Sequence, residues 1–527
     1  MQKSRGWGLA AGLCALLAVG SATAQSLTNV LRVVPSADIT ELDPTRGANL
    51  ISRIYSQMVF ETLFALDSTL TPRPMMVESW DASPDRLTWR FTLRPGLKFH
   101  DGKPVTTRDV VASIERWAGS TSIGGQLGRR MAGMQIIDDR SFTLTLKEPF
   151  GLVEFILSGP GAPIAGILPE ADAKRPIGAP LTSPIGSGPF RYIAGERVSG
   201  HRAVFEKFRD YTPRQEPTDG LAGARIVKVD RVEWIVMPDA TTAANALVNN
   251  EADLWEQVTP DLAPFLAQRG MTVRRLASLP SQSFVRPNFQ LPPFNDIRAR
   301  QALALALDQR EMLDAIAGDK VPTKECFSFT VCAGPLSTEV GSEPWRKPDL
   351  ARARQLMLDA GYKGERLVMV ATPQLPVIGQ MALVVEQRLK QIGVNVDVEM
   401  MDFSAMFPRI QTKDKPIGQG GYHLFPYYAA GVFWFHPLTN LSVDMSCPAS
   451  SWAGFPCDEQ GEKLRQAFLA APDDAARKTA YEAFHKRMWD FIPYVPTGQF
   501  DVVSGFRKNV QGVLDAYFMA YWNIEKK

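Results

Sequence analysis

The chain has 527 residues, with 58 Lys+Arg against 56 Asp+Glu, and 45% of it is hydrophobic. Such balanced charge argues against a nucleic-acid partner, which favours a basic surface. The length exceeds what one compact core organises, and neither an internal repeat nor a low-complexity linker divides it.

The first 24 residues read as a secretory leader. Lys3 and Arg5 form its positive start, and Leu9 to Val19 form an apolar core too short to span a bilayer comfortably. Ala22-Thr23-Ala24 is a small-x-small cleavage site, so the mature chain is expected to start at Gln25. An uncleaved anchor is the rival reading. Cys14 follows Leu13 where a lipidation site needs a small residue, so lipid attachment is not expected. Without the leader, 56 basic residues face 56 acidic ones.

Strand-like and helix-like patterns then alternate, which indicates an α/β fold. Leu31 to Val34 reads as a first strand, and Leu87 to Leu93 alternates as a half-buried strand should. His100-Asp101-Gly102 is a turn, and Thr106 with Asp109 has capping-box spacing ahead of a helix. The apolar stretch from Phe150 to Leu168 is interrupted by Glu154, glycines and prolines, and so does not read as a membrane span. Asp239 caps a helix through Asn250, and Asn295 or Asp296 caps one expected to run to about Ala317, where Gly318 stops it. Further helices are expected from Asp349 to Gly361, from Pro376 to Ile392 and from Asp473 to Trp489, with a strand at Val394 to Met400.

Four cysteines lie beyond the leader, in two close pairs. In an oxidising compartment the simplest of three connectivities is Cys326–Cys332 with Cys447–Cys457. A metal site is the weaker reading, because no Cys-x-x-Cys occurs and His436 is the nearest imidazole. None of the five histidines falls in an H-E-x-x-H motif, and neither a G-x-S-x-G elbow nor a Walker loop is present. No cofactor, metal or ATP is therefore expected to bind. A secreted hydrolase with a triad assembled from distant segments stays as the rival class.

The run FETLFALDSTLTPRPMMVESWDASPDRLTWRFTLRPGLKFHDGKPVTTRDVVASIERW, Phe60 to Trp117, resembles the extracellular solute-binding proteins of family 5. These are the dipeptide- and oligopeptide-binding receptors of bacterial ABC importers. Gly186-Ser187-Gly188-Pro189-Phe190-Arg191 resembles the family's strand entry, and Pro292 to Asp308 resembles its P-F-D-D-x-R signature. The resemblance implies a bilobal periplasmic binding protein, type II-like, with a hinge and an extra domain. Lobe I would comprise 26–65, 186–282 and 500–527, the extra domain 66–185, and lobe II 283–499, with crossings near Ser281 and Gly498. It further implies a monomer in the periplasm of a Gram-negative bacterium, no nucleic acid, and the transmembrane subunits of an ABC permease as partner.

Three stretches are candidates for the ligand cleft by the same resemblance. In the first, Asn49, Leu50 and Tyr55 are the choices, though a solvated loop and a core tyrosine fit equally. In the second, Trp255, Glu256 and Gln257 follow Asn250-Glu251-Ala252-Asp253, which is similar to the family's G-E-x-D turn with Asn in place of Gly. Trp255 would stack on a ligand and Glu256 meet an amine; a structural Trp is the alternative. In the third, Tyr422 to Trp434, the choices are Tyr427, Tyr428, Phe433 and Trp434. Peptide receptors carry an aspartate late in this stretch for the peptide ammonium, but no Asp lies between Asp414 and Asp444, and Gly431 or Val432 takes its place. Either Glu256 or Asp444 substitutes for it, or the ligand is not a peptide but a glutathione-like thiol, a metal chelate or a sugar. Trp452 and Phe455 would lid the site or pack beneath it.

Overall fold

A computed structural model describes residues 29–275, 278–448 and 452–527. The expected leader and its cleavage site lie outside these residues. Two large sheets dominate. The first orders its strands Thr272–Arg275, Val503–Phe506, Leu254–Val258, Val30–Val34, Arg231–Ile235, Arg202–Lys207 and Phe190–Tyr192. Val30–Val34 runs parallel to both Arg231–Ile235 and Leu254–Val258, at the centre. The second orders Thr323–Lys324, Val495–Phe500, Ser281–Pro287, Leu424–Ala429, Leu367–Ala371 and Val396–Met400. Leu367–Ala371 is buried along its whole length, as a covered parallel strand should be. The architecture is α/β with two lobes.

A third, antiparallel sheet of Val77–Ala82, Thr88–Leu93, Ser141–Leu146 and Met131–Ile136 stands beside the first lobe. In Thr88–Leu93, Trp89, Phe91 and Leu93 are buried while Thr88 and Arg90 face out, so the expected alternation is real. A buried ion pair, Arg116 to Asp43 at 2.7 Å, ties this unit to the loop after the first strand. His100 forms a second tie. The Gly186 N–H donates to its Nδ1 at 3.2 Å, which leaves Nε2–H to donate to the Gly188 carbonyl at 3.0 Å. The glycines of that turn are required by space. A Cβ on Gly186 would stand 1.9 Å from the Val59 carbonyl, and one on Gly188 2.5 Å from that of Met58. The F-H-D-G and G-S-G-P-F motifs are thus one joint, holding the end of helix Leu50–Val59.

The chain changes sheets twice. Thr272–Arg275 pairs with Val503–Phe506 in the first sheet, and Ser281–Pro287 with Val495–Phe500 in the second. One change falls between Arg275 and Ser281 and the other at 501–502, so Ser281 opens a second-sheet strand and Gly498 lies within another. Gly498, at φ 105°, sits where the register shifts and packs on Leu313, 2.7 Å from where a Cβ would stand.

Most helices follow the sequence. Asp239 accepts from Thr242 N–H ahead of Ala240–Val248, Asp349 caps Leu350–Asp359, and Asp473 caps Asp474–Phe491. The helix expected up to Ala317 is two, Ile297–Ala306 and Gln309–Ile316. Leu307 is extended there, and Asp308 accepts from Glu311 N–H as a second N-cap. The disulfides are Cys326–Cys332 and Cys447–Cys457. No helix among the described residues is long and apolar enough to cross a membrane.

Candidate functional site

The lobes meet across a seam. Phe433 of the second lobe lies edge-on to Phe518 of the first, with ring centroids 6.0 Å apart. Phe155 of the extra unit packs on Phe435 and His436 at 5.8 and 4.5 Å, and Arg130 donates to Gln466 at 2.8 Å. Asp261 and Lys320 form an ion pair across the same divide.

On the first lobe, Asn49 caps helix Leu50–Val59, its side-chain oxygen accepting from Ser52 N–H at 2.9 Å. Leu50 is half-buried beside it. Tyr55 belongs to the lobe's core: it is fully buried against Phe60, Tyr192 and Phe205, and its hydroxyl donates to the Leu42 carbonyl.

Strand Leu254–Val258 starts after Asn250, which adopts φ 69°, the left-handed region that Asn and Gly tolerate. This explains a Gly at that turn elsewhere. Trp255 is buried and pairs with Val34 and Gly505. Gln257 is half-buried. Glu256 is only 5% exposed, and its Oε2 accepts from Ser36 N–H at 2.8 Å, at the end of the first strand. Ser504 Oγ donates to the Glu256 backbone carbonyl. No basic side chain pairs with the Glu256 carboxylate among the described residues, and burial pushes its pKa up to about 7. Tyr521 lies close enough that the Glu256 charge, with burial, holds its hydroxyl protonated.

The aromatic stretch of the second lobe divides. Tyr427 packs on Phe284 at 6.0 Å and Tyr428 on Phe500 at 5.5 Å; both are half-buried, and burial pushes Tyr428 up to about 12. Phe433 reaches the seam. Trp434 does not: it stacks on Phe284 at 5.2 Å and meets Tyr494 in the lobe's core. Trp452 and Phe455 do not lid the cleft either. Trp452 packs on Phe284 and Phe425 under the Arg286 guanidinium, and Phe455 is buried. Asp444 is committed to Ser446 N–H at 3.0 Å and to Arg465 at 3.5 Å. Of the two acids weighed for a ligand ammonium, Glu256 alone is uncompensated.

Two buried polar residues that the sequence did not single out lie near the crossings. Gln499 Nε2 donates to Gln282 Oε1 at 2.6 Å, on paired strands beside the crossings. Both residues are buried, and the remaining donor on Gln282 and acceptor on Gln499 have no partner. Their only sequence signal is a polar residue inside an otherwise buried strand. A carboxylate, an amide pair and half-buried rings suit recognition of a polar organic solute. Four histidines are instead spent on backbone groups. His100, His423 and His485 are pulled down to about 4 and His436 to about 3, chiefly by burial. Among the described residues no three His, Cys, Asp or Glu side chains gather as metal ligands.

The model of bacterial extracellular solute-binding proteins, family 5 Middle, matches residues 71–449. The chain belongs to this family. It is 33% identical over 529 residues to the probable peptide ABC transporter periplasmic-binding protein y4tO of Sinorhizobium fredii, covering 98% of both chains. It is 25% identical to the glutathione-binding protein GsiB of Salmonella typhimurium, covering 96% of this chain and 95% of that one. The solved structure of DppA from Helicobacter pylori in complex with the peptide STSA shares the fold at TM-score 0.79 and 19% identity, covering 94% of this chain and 98% of that one. Family 5 consists of binding proteins that act outside the cytoplasm, and this solute-binding protein shares that setting.

Proposed function

We propose that this family 5 protein is the periplasmic receptor of an ABC importer, capturing short peptides and delivering them to the permease subunits as a monomer. The observation that carries the peptide reading is Glu256, a buried, uncompensated carboxylate beside the first strand's end. A ligand ammonium supplies the charge it lacks, the role an aspartate of the second lobe would otherwise take. The likeness to y4tO across nearly the whole chain supports the same reading. Lobe I is taken as 26–65, 186–282 and 500–527, the extra domain as 66–185, and lobe II as 283–499. Asn49, Leu50, Trp255, Gln257, Tyr427, Tyr428 and Phe433 border the site, and ligand binding favours the closed arrangement of the two lobes. The engagement of four of the five histidines with backbone groups weighs against a hydrolase.

Mass spectrometry of small molecules released from the purified protein by denaturation tests this. A ladder of di- to pentapeptides is expected. A single non-peptide species would replace the peptide assignment and keep the receptor role. The likeness to GsiB makes glutathione the first single compound to try, in a thermal-shift assay where a ligand at 100 times its Kd adds about 2.7 kcal/mol.

A further inference from the structure

Arg53 stands one turn into helix Leu50–Val59 and is 3% exposed. Its guanidinium lies 4.7 Å over Phe518, the ring that meets Phe433 of the opposite lobe, and one nitrogen donates to the Gly159 carbonyl of the extra unit at 2.6 Å. It therefore sits where all three units converge. Nε and Nη1 have no partner. The charge that acts on it is Arg225, of the same sign, and no carboxylate forms an ion pair with it among the described residues.

Other buried arginines are not left this way. Arg116 pairs with Asp43, Arg94 with Glu61, and Arg465 with Glu462. Arg286 places Nε and Nη1 on the carbonyls of Ala453, Ser442 and Pro493, leaving only Nη2 idle. A buried guanidinium with one neutral acceptor and two idle donors is unfavourable unless an anion completes it. Beside it, Gln57, on the same helix face four residues on, has both amide atoms unpaired, and the Tyr517 hydroxyl is unpaired too. Tyr517 and Phe518 adjoin Arg53, and Tyr521 of the same segment adjoins Glu256. One short stretch of chain thus has a cationic group at one end and an anionic group at the other.

We infer that Arg53 is the anchor for the ligand's free carboxylate, so that the receptor selects short zwitterionic peptides, ammonium on Glu256 and carboxylate on Arg53. This rests on the peptide reading above. Burial and Arg225 lower the Arg53 pKa to about 9, which leaves the group cationic at neutral pH.

The test uses the mature protein and a pancreatic casein digest, untreated or with its carboxyl groups converted to methylamides. In thermal shift, the untreated digest is expected to stabilise the wild type and the carboxyl-blocked digest to do so far less. The tightest peptide, identified by mass spectrometry, should bind about ten- to a hundred-fold more weakly as its C-terminal methylamide. Arg53→Gln should bind both forms alike, and Arg53→Lys, which keeps the charge but not the fork, should fall between. Equal binding of free acid and methylamide by the wild type overturns the inference without any variant, as does discrimination that survives in Arg53→Gln. If neither digest stabilises the protein, the peptide reading itself fails, and the inference with it.

Discussion

The strand Leu254–Val258 and the stretch Tyr422 to Trp434 look like opposite bets in sequence, one acid among mostly apolar residues against a block of rings. The structure inverts their apparent value. The rings of the second lobe are largely consumed by its own core, where Trp434, Phe284, Trp452 and Tyr494 pack on one another. The single acid of the strand Leu254–Val258 is held by one backbone N–H and no cation. Aromatic density measures how much core a region must fill; an uncompensated buried charge measures what the region still lacks.

Mutation separates the two. Trp434→Ala should cost about 3–5 kcal/mol of stability in denaturant unfolding by opening a core cavity, with little change in ligand affinity. A large loss of affinity at unchanged stability would return Trp434 to the site. Glu256→Gln keeps shape and the Ser36 contact while removing the charge. It should weaken an amine-bearing ligand by about ten- to a hundred-fold in calorimetry, as loss of a charge-assisted hydrogen bond does.

The pH dependence follows from the same group. Its carboxyl is raised in the native state, so the unliganded protein binds a proton there more tightly than the unfolded chain. Its contribution favours the native state less as pH rises from about 4.5 through about 7. A ligand ammonium needs the ionised form, so affinity should fall about tenfold for each pH unit below about 7 and level off above it. Glu256→Gln should flatten that profile. The smallest effect is expected at Asn49: its oxygen serves the helix, so Asn49→Ala should cost about 1 kcal/mol of stability and leave affinity intact. A selective affinity loss would place Asn49 on the ligand.

The fold was legible where local chemistry and motif coincide. Asp239, Asp349 and Asp473 cap the helices their positions foretold, and the two cysteine pairs close as the simplest connectivity has them. Leu307 was missed because an apolar stripe continues through it in sequence, while the second cap at Asp308 restarts the helix. The proposal at Glu256 starts from its place after the Asn250 turn. Arg53, Gln282 and Gln499 were not, since whether a polar group is left without a partner depends on residues far along the chain. Gly159 is 106 residues from Arg53, and Gln499 is 217 from Gln282. For Trp452 the choice between lid and packing was open for the same reason, its neighbours being Arg286 and Phe284, far along the chain.

The paired crossings, one between Arg275 and Ser281 and one at 501–502, carry a mechanical consequence. A single connection would let the lobes swivel as well as fold, whereas two connections of opposite direction between the same two sheets, flanked by hydrogen-bonded ladders, resist torsion as a door hung on two pins does. Two pins favour a single swing axis, and closure about it would give one common outline whatever residues lie inside.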